Sequence, residues 1–227
     1  MKKAENLIRK FMGQAIGDYN MIEPQDRILV GVSGGKDSLC LLNMLRQRQR
    51  FSPVKYEIFP VHFNENDENT KVIEQYFKDY GFEYVILPKK WVKKTKRGKK
   101  PCFNCSWERR TNLFKIARKL NCRKIALAHH KDDMIQTTLL NMFYAGDIST
   151  MVPSQEFFQG NIYIIRPLAY VEERFLEQYA KENNLPNLPF KCPHGEKSSR
   201  RLMKELIDQV AKDCPDVRTN IFRSCRL

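Results

Sequence analysis

No stretch of the sequence approaches the run of about 20 apolar residues that a helical membrane span requires, which excludes such a span. The N-terminus, MKKAENLIRKFMGQAIGDYN, lacks the continuous apolar segment of a secretory signal. Its apolar residues instead recur at helical intervals among charged ones, so the expected location is cytoplasmic. Seven cysteines, at 40, 102, 105, 122, 192, 214 and 225, are an odd number. With no signal segment, that argues against a disulfide framework and for reduced thiols, some free to bind metal. There is no internal repeat and no low-complexity tract beyond short basic runs. Acid is also scarce: 26 Asp and Glu face 40 Lys and Arg, a formal charge of +14. That balance points either to a polyanionic partner or to an ordinary basic enzyme surface, and clustering has to decide between them.

What is present fits one main globular domain, because 227 residues with 42% hydrophobic and 11% aromatic content can fill one substantial core. The periodicity predicts an amphipathic helix over 3–17, a turn at Glu23-Pro24 and a buried strand over Ile28–Val32. A glycine-rich loop follows, then a helix carrying Leu39, Leu41, Leu42 and Leu45. Strands are expected at 56–63, 82–87 and 124–128, and helices at 68–80, 105–120 and 132–144. Such alternation predicts an α/β fold, a doubly wound parallel sheet flanked by helices, with ligands at the carboxyl ends of its strands. The loop, HFNEN at 62–66 and AHHKDD at 128–133 all fall at such ends.

The loop reads SGGKDS, and it lacks the four-residue glycine spacing of a Walker A motif. Gly34 and Gly35 permit a tight turn that offers successive N–H groups to an anion at a helix N-terminus. Ser33 and Ser38 can donate hydrogen bonds, Lys36 adds a point charge, and Asp37 either holds Mg²⁺ or orients the loop. Further on, Pro101-Cys102-Phe103-Asn104-Cys105 puts two thiols immediately ahead of a helix, where thiolates are favoured. A zinc site, a redox pair and an iron–sulfur site all use this spacing, and no second CxxC exists to complete a four-cysteine zinc site. Cys192, in the proline-rich segment 186–201, is the one further candidate ligand. Cys40 and Cys122 read as small buried fillers. The basic runs flank these thiols: residues 88–101 carry eight Lys or Arg, and Lys197–Arg201 adds KSSRR. Trp91 and Trp107 either stack on a base or pack into the core.

Taken in order, SGGKDS, PCFNCSWERR at 101–110, AHHKDD with Thr137 and Asn141, and IRPLAYVEE at 165–173 resemble the tRNA 2-thiocytidine synthetases over nearly the whole chain. These belong with the 2-thiouridine synthetases among the PP-loop N-type ATP pyrophosphatases. The resemblance implies an adenine nucleotide α-hydrolase-like Rossmann fold, with an N-terminal helix at 1–25, the ATP pyrophosphatase domain at 26–170 and a C-terminal helical segment at 171–227 contributing the third cysteine. It implies ATP contacts from Ser33, Gly34, Gly35, Lys36, Asp37, Ser38, His62, Ala128 and Asp133, and catalytic roles for Lys36, Asp37 and Asp132. For Asp132 the residue type allows Mg²⁺ binding, proton removal or a helix cap. The implied cofactors are ATP, Mg²⁺ and a [4Fe-4S] cluster on Cys102, Cys105 and Cys192, whose open iron would carry sulfur.

The implied partner is tRNA, met by Lys99, Lys100, Arg109, Arg110, Arg200 and Arg201. The sulfur donor is a cysteine desulfurase or free sulfide, and a homodimer is allowed. The expected reaction attaches AMP to the C2 oxygen of a pyrimidine and replaces that oxygen with sulfur. Phe190-Lys191-Cys192-Pro193-His194 lies nearer the thiouridine pattern, so cytidine, uridine, a cysteine persulfide route and a redox-sensing module all stay open.

Overall fold

The computed structural model describes residues 3–64, 66–88, 101–188 and 199–225, with residues 101–106 described by their backbone alone. In chain order the elements are α1 (Lys3–Asp18), β1 (Arg27–Val32), α2 (Lys36–Phe51), β2 (Glu57–Phe63), α3 (Asp67–Asp79), β3 (Val85–Leu87) and α4 (Pro101–Lys119). There follow β4 (Lys124–Ala126), α5 (Lys131–Ala145), β5 (Ser154–Phe157), β6 (Ile162–Ile165), α6 (Glu173–Glu182), α7 (Ser199–Val210) and α8 (Val217–Ser224).

The six strands form one sheet in the order β3-β2-β1-β4-β6-β5. All neighbours are parallel except the edge pair β5 and β6. The chain leaves β1 toward β2 on one side and returns to β4 on the other, so the loop after β1 lies where the strand order reverses. Open α/β sheets bind ligands at that switch point. β1 serves both faces: Ile28, Val30 and Val32 enter one buried cluster with α1, α2 and α6, and Leu29 enters the other with Leu113 and Ala117 of α4. This two-residue alternation with apolar side chains on both faces is what helices on each side of a parallel sheet demand. Gly31 lets the neighbouring connection come close, since a Cβ there would stand 3.0 Å from Leu127 Cδ2.

Several boundaries differ from the sequence-based expectation. α4 starts at Pro101, so Cys102 and Cys105 lie within the first turns of the helix instead of ahead of it. Proline suits that start because its missing N–H would have had no helical acceptor. β3 and β4 are shorter than expected, and β5 and β6 form an additional hairpin.

Candidate nucleotide and acceptor site

Gly34 adopts φ +92°, a backbone conformation that strains any residue with a side chain. Around it the two serines stitch the loop together. The Ser38 hydroxyl donates to the Gly35 carbonyl at 2.8 Å, the Ser33 N–H donates to Ser38 Oγ at 3.2 Å, and the Gly35 N–H donates to Ser33 Oγ at 3.3 Å. Gly35 is the N-cap of α2, and no side chain among the described residues caps that end. The first-turn amides of a helix have no helical acceptor, so this end is suited to an anion. The Leu188 N–H donates to the Gly34 carbonyl at 3.2 Å, which ties the end of segment 185–188 to the loop.

Lys36 Nζ lies 3.3 Å from Asp37 and 3.0 Å from Glu173 Oε1. Burial works against its charge, yet these two carboxylates outweigh it and raise the pKa above the ordinary lysine value. Burial also pushes the Asp37 carboxyl above its usual range, against the pull of nearby His130 and Lys36. Asp37 Oδ1 is buried and accepts no hydrogen bond among the described residues.

His62 pairs in register with Val32 beneath the loop and is only 4% exposed. Its Nδ1 is 2.8 Å from the Val32 carbonyl, which can only accept, so Nδ1 carries the proton and Nε2 accepts from Thr70 Oγ1 at 3.3 Å. Both ring nitrogens are used in joining β1, β2 and α3. Burial lowers its pKa, and Arg109 is near enough to lower it further.

At the end of β4, Ala128 is half-buried against the core, and the acids that open α5 are already engaged. Asp133 accepts from the His130 N–H at 3.1 Å, capping its own helix, and meets Arg200 at 3.3 Å. Asp132 accepts from the Glu173 N–H at 2.7 Å, so it holds the first turn of α6, and it lies 3.4 Å from Arg218. Glu173 in turn meets Lys204 at 2.7 Å. Its two lysines overcome the cost of burial and draw its pKa down to about 2.

Beside them, His129 is lowered to about 4, first by burial and then by Arg166. The Arg166 guanidinium donates to the Val152 carbonyl, while Arg166 Nε and His129 Nδ1 are buried without a hydrogen-bond partner among the described residues. Arg110 stands close enough to Arg166 to depress its pKa. Among the described residues no group of three His, Cys, Asp or Glu is arranged to hold a metal ion.

Of the expected site residues, the fold gathers Ser33–Ser38, His62, Ala128, Asp132 and Asp133 at the carboxyl end of the sheet. Arg109 and Arg110 reach that end from α4, and Trp107 is 59% exposed. Arg200 faces Asp133, whereas Arg201 pairs outward with Glu205 at 2.9 Å. Lys99, Lys100, Trp91 and Cys192, and the side chains of Cys102 and Cys105, lie outside the described residues. Cys40 and Cys122 are buried. Sequence reasoning assigned no role to Glu173, Lys204, Arg218 or Arg166. Two of these lie inside IRPLAYVEE, a string matched for its order alone.

A PP-loop domain family model matches residues 2–189. A tRNA-cytidine(32) 2-sulfurtransferase from Syntrophotalea carbinolica is 39% identical over 95% of this chain and 86% of its own. That of Polynucleobacter necessarius subsp. necessarius is 38% identical over 98% of this chain and 76% of its own. Among solved structures, a U34-tRNA thiolase from Methanococcus maripaludis with its [4Fe-4S] cluster superposes with a TM-score of 0.78 at 23% identity, covering 99% of this chain and 76% of its own. That likeness shows the shared fold alone, and the family rests on the family model and the sequence relatives: the chain belongs to the PP-loop domain family and, within it, to the family of the tRNA-cytidine(32) 2-sulfurtransferases.

Proposed function

We propose that this protein is an ATP-dependent tRNA sulfurtransferase that activates the C2 oxygen of cytidine 32 by adenylation and replaces it with sulfur. The observation that carries the reading is the left-handed glycine loop at the sheet's switch point, with no side-chain cap among the described residues and with Lys36 and a half-buried Asp37 beside it.

In this reading Ser33–Ser38 bind the β and γ phosphates and keep the pyrophosphate that leaves. Asp37, whose Oδ1 lies 3.3 Å from Lys36 Nζ and accepts no hydrogen bond among the described residues, fits the single protein carboxylate that Mg²⁺ needs when phosphates supply further ligands. Asp132 and Asp133 are held by backbone amides and arginines, so they serve first to position α5 and α6 around the nucleotide. Ala128 and His62 form the floor beneath it.

Cys102 and Cys105, three positions apart on one helix, fit two thiolates of a single cluster, and Cys192 follows loop-anchored Leu188 by four residues. A [4Fe-4S] cluster on these three cysteines would supply the site from which sulfur reaches the activated base. The ATP-handling unit is assigned to 26–170, with 1–25 as an N-terminal helix and 171–227 as the segment bringing the third cysteine. Lys99, Lys100, Arg109, Arg110, Arg200 and Arg201 form a basic approach for the tRNA backbone in the cytoplasm.

The test is nucleoside mass spectrometry of tRNA incubated anaerobically with the protein, ATP, Mg²⁺ and sulfide. Formation of 2-thiocytidine with matching AMP and pyrophosphate is expected. Appearance of 2-thiouridine alone would move the acceptor, and no thiolation by iron-loaded protein would overturn the reading.

A further inference from the structure

Glu173 does something unusual at the candidate loop: one carboxylate gathers two ammonium groups from separate parts of the chain. Its Oε1 meets Lys36 of the loop at 3.0 Å and its Oε2 meets Lys204 of α7 at 2.7 Å. The backbone N–H of Glu173 is itself fixed by Asp132 at 2.7 Å, so the carboxylate sits on an anchored helix start. α7 does not need this ion pair to dock, because Met203 and Ile207 are already buried on its inner side. One turn earlier on α7, Arg200 meets Asp133 at 3.3 Å, so the Arg200–Lys204 face of the helix is turned toward the site. Lys204 is half-exposed.

We propose that Lys204 is a second phosphate-binding lysine of the loop, delivered by the C-terminal segment, with Glu173 as the internal anion that holds Lys36 and Lys204 together until a polyphosphate replaces it. Two lysines bridged by one carboxylate already stand close enough to share one anion. A pyrophosphate group carries more negative charge than the carboxylate and offers more acceptor oxygens, so it competes well for both. Glu173 then has like charge to the incoming phosphates and is released toward solvent-facing α6 positions, while its helix stays anchored through Asp132. Residues at 36 and 204 thereby meet on the same ligand, and nucleotide binding pulls on α7.

This inference rests on the reading of residues 33–38 as the pyrophosphate loop, and the experiment separates the two. Calorimetric titration of the intact protein with inorganic pyrophosphate, and separately with AMP, is run on the wild type, Lys36→Ala, Lys204→Met, Lys204→Arg, Glu173→Gln and the Glu173→Gln/Lys204→Met pair, each checked for folding by thermal melt. Lys204→Met is expected to weaken pyrophosphate binding about tenfold and leave AMP unaffected, and Lys204→Arg to retain most of the affinity. The decisive arm is the Glu173→Gln background. If Lys204→Met still costs about tenfold there, Lys204 touches the phosphate; if the cost vanishes, Lys204 acts only by neutralising Glu173 and the inference falls. Wild-type protein that ignores pyrophosphate, or Lys36→Ala that binds it unchanged, would overturn the loop reading itself.

Discussion

At the scale of single residues, the site is governed by desolvated charge. Asp37 is half-buried beside Lys36, with its Oδ1 3.3 Å from that ammonium, so Asp37→Asn should leave the fold intact and reduce pyrophosphate release from ATP at least 100-fold, about 3 kcal/mol of transition-state stabilisation. Asp132 invites a different expectation, because its Oδ2 accepts the Glu173 N–H. Asp132→Asn keeps an oxygen for that bond and should melt within a few degrees of wild type, whereas Asp132→Ala leaves a partly buried N–H unpaired and should cost about 1–3 kcal/mol in a denaturant titration.

The titrating groups set the acid limb of stability. His129 has a folded pKa of about 4 against an ordinary 6.5, so the stability linked to its neutral form is complete above 6.5 and drains away as pH falls through 4. Glu173, at about 2 against an ordinary 4.5, adds a second loss that begins as pH falls below 4.5. Denaturant melts across this range should show the two windows in turn, and His129→Gln should flatten the first without touching the second.

At the scale of elements, the strands and helices that carry apolar periodicity were legible before the structure: α1, β1, α2, β2, α3 and α5 all fall within a few residues of expectation. The β5–β6 hairpin was not. β5 reads SQEF, a half-buried edge strand with a single apolar residue, so it shows no apolar alternation, and its turn places Phe158 and Gln159 at φ 54° and 55° without the Asn-Gly pair that usually announces such turns. The start of α4 was set four residues late because the CxxC string carries little apolar signal.

The candidate site divides in the same way. The loop was legible because glycines and serines have few other reasons to occur together after a buried strand. The Glu173 pairings were invisible, because a glutamate at position 173 and a lysine at 204 are ordinary helical residues until α6 and α7 are brought together. Gly34→Ala meets only ordinary contacts at 3.7 Å, so the whole penalty, about 1–2 kcal/mol, comes from its left-handed backbone, and it should appear in both the melting temperature and pyrophosphate affinity.

At the scale of the whole molecule, the proposal separates nucleotide chemistry from sulfur chemistry. Asp37→Ala should abolish ATP use and keep iron, and Cys105→Ala should lose iron and keep adenylation; identical losses in folded variants would refute that separation. The charge of +14 adds a further expectation for tRNA binding. Affinity should fall linearly on a log–log plot against salt, and the Lys99→Ala/Lys100→Ala pair should reduce the slope by about 1–2 without changing which base is thiolated.

Near the loop, the described cations are matched by acids. Around the loop, Lys36, Lys204, Arg200 and Arg218 each face a carboxylate. Among the described residues, the mouth is therefore locally close to neutral. If the proposed function holds, an RNA backbone gains little by lying across so neutral a mouth, which leaves the opening itself for a single base.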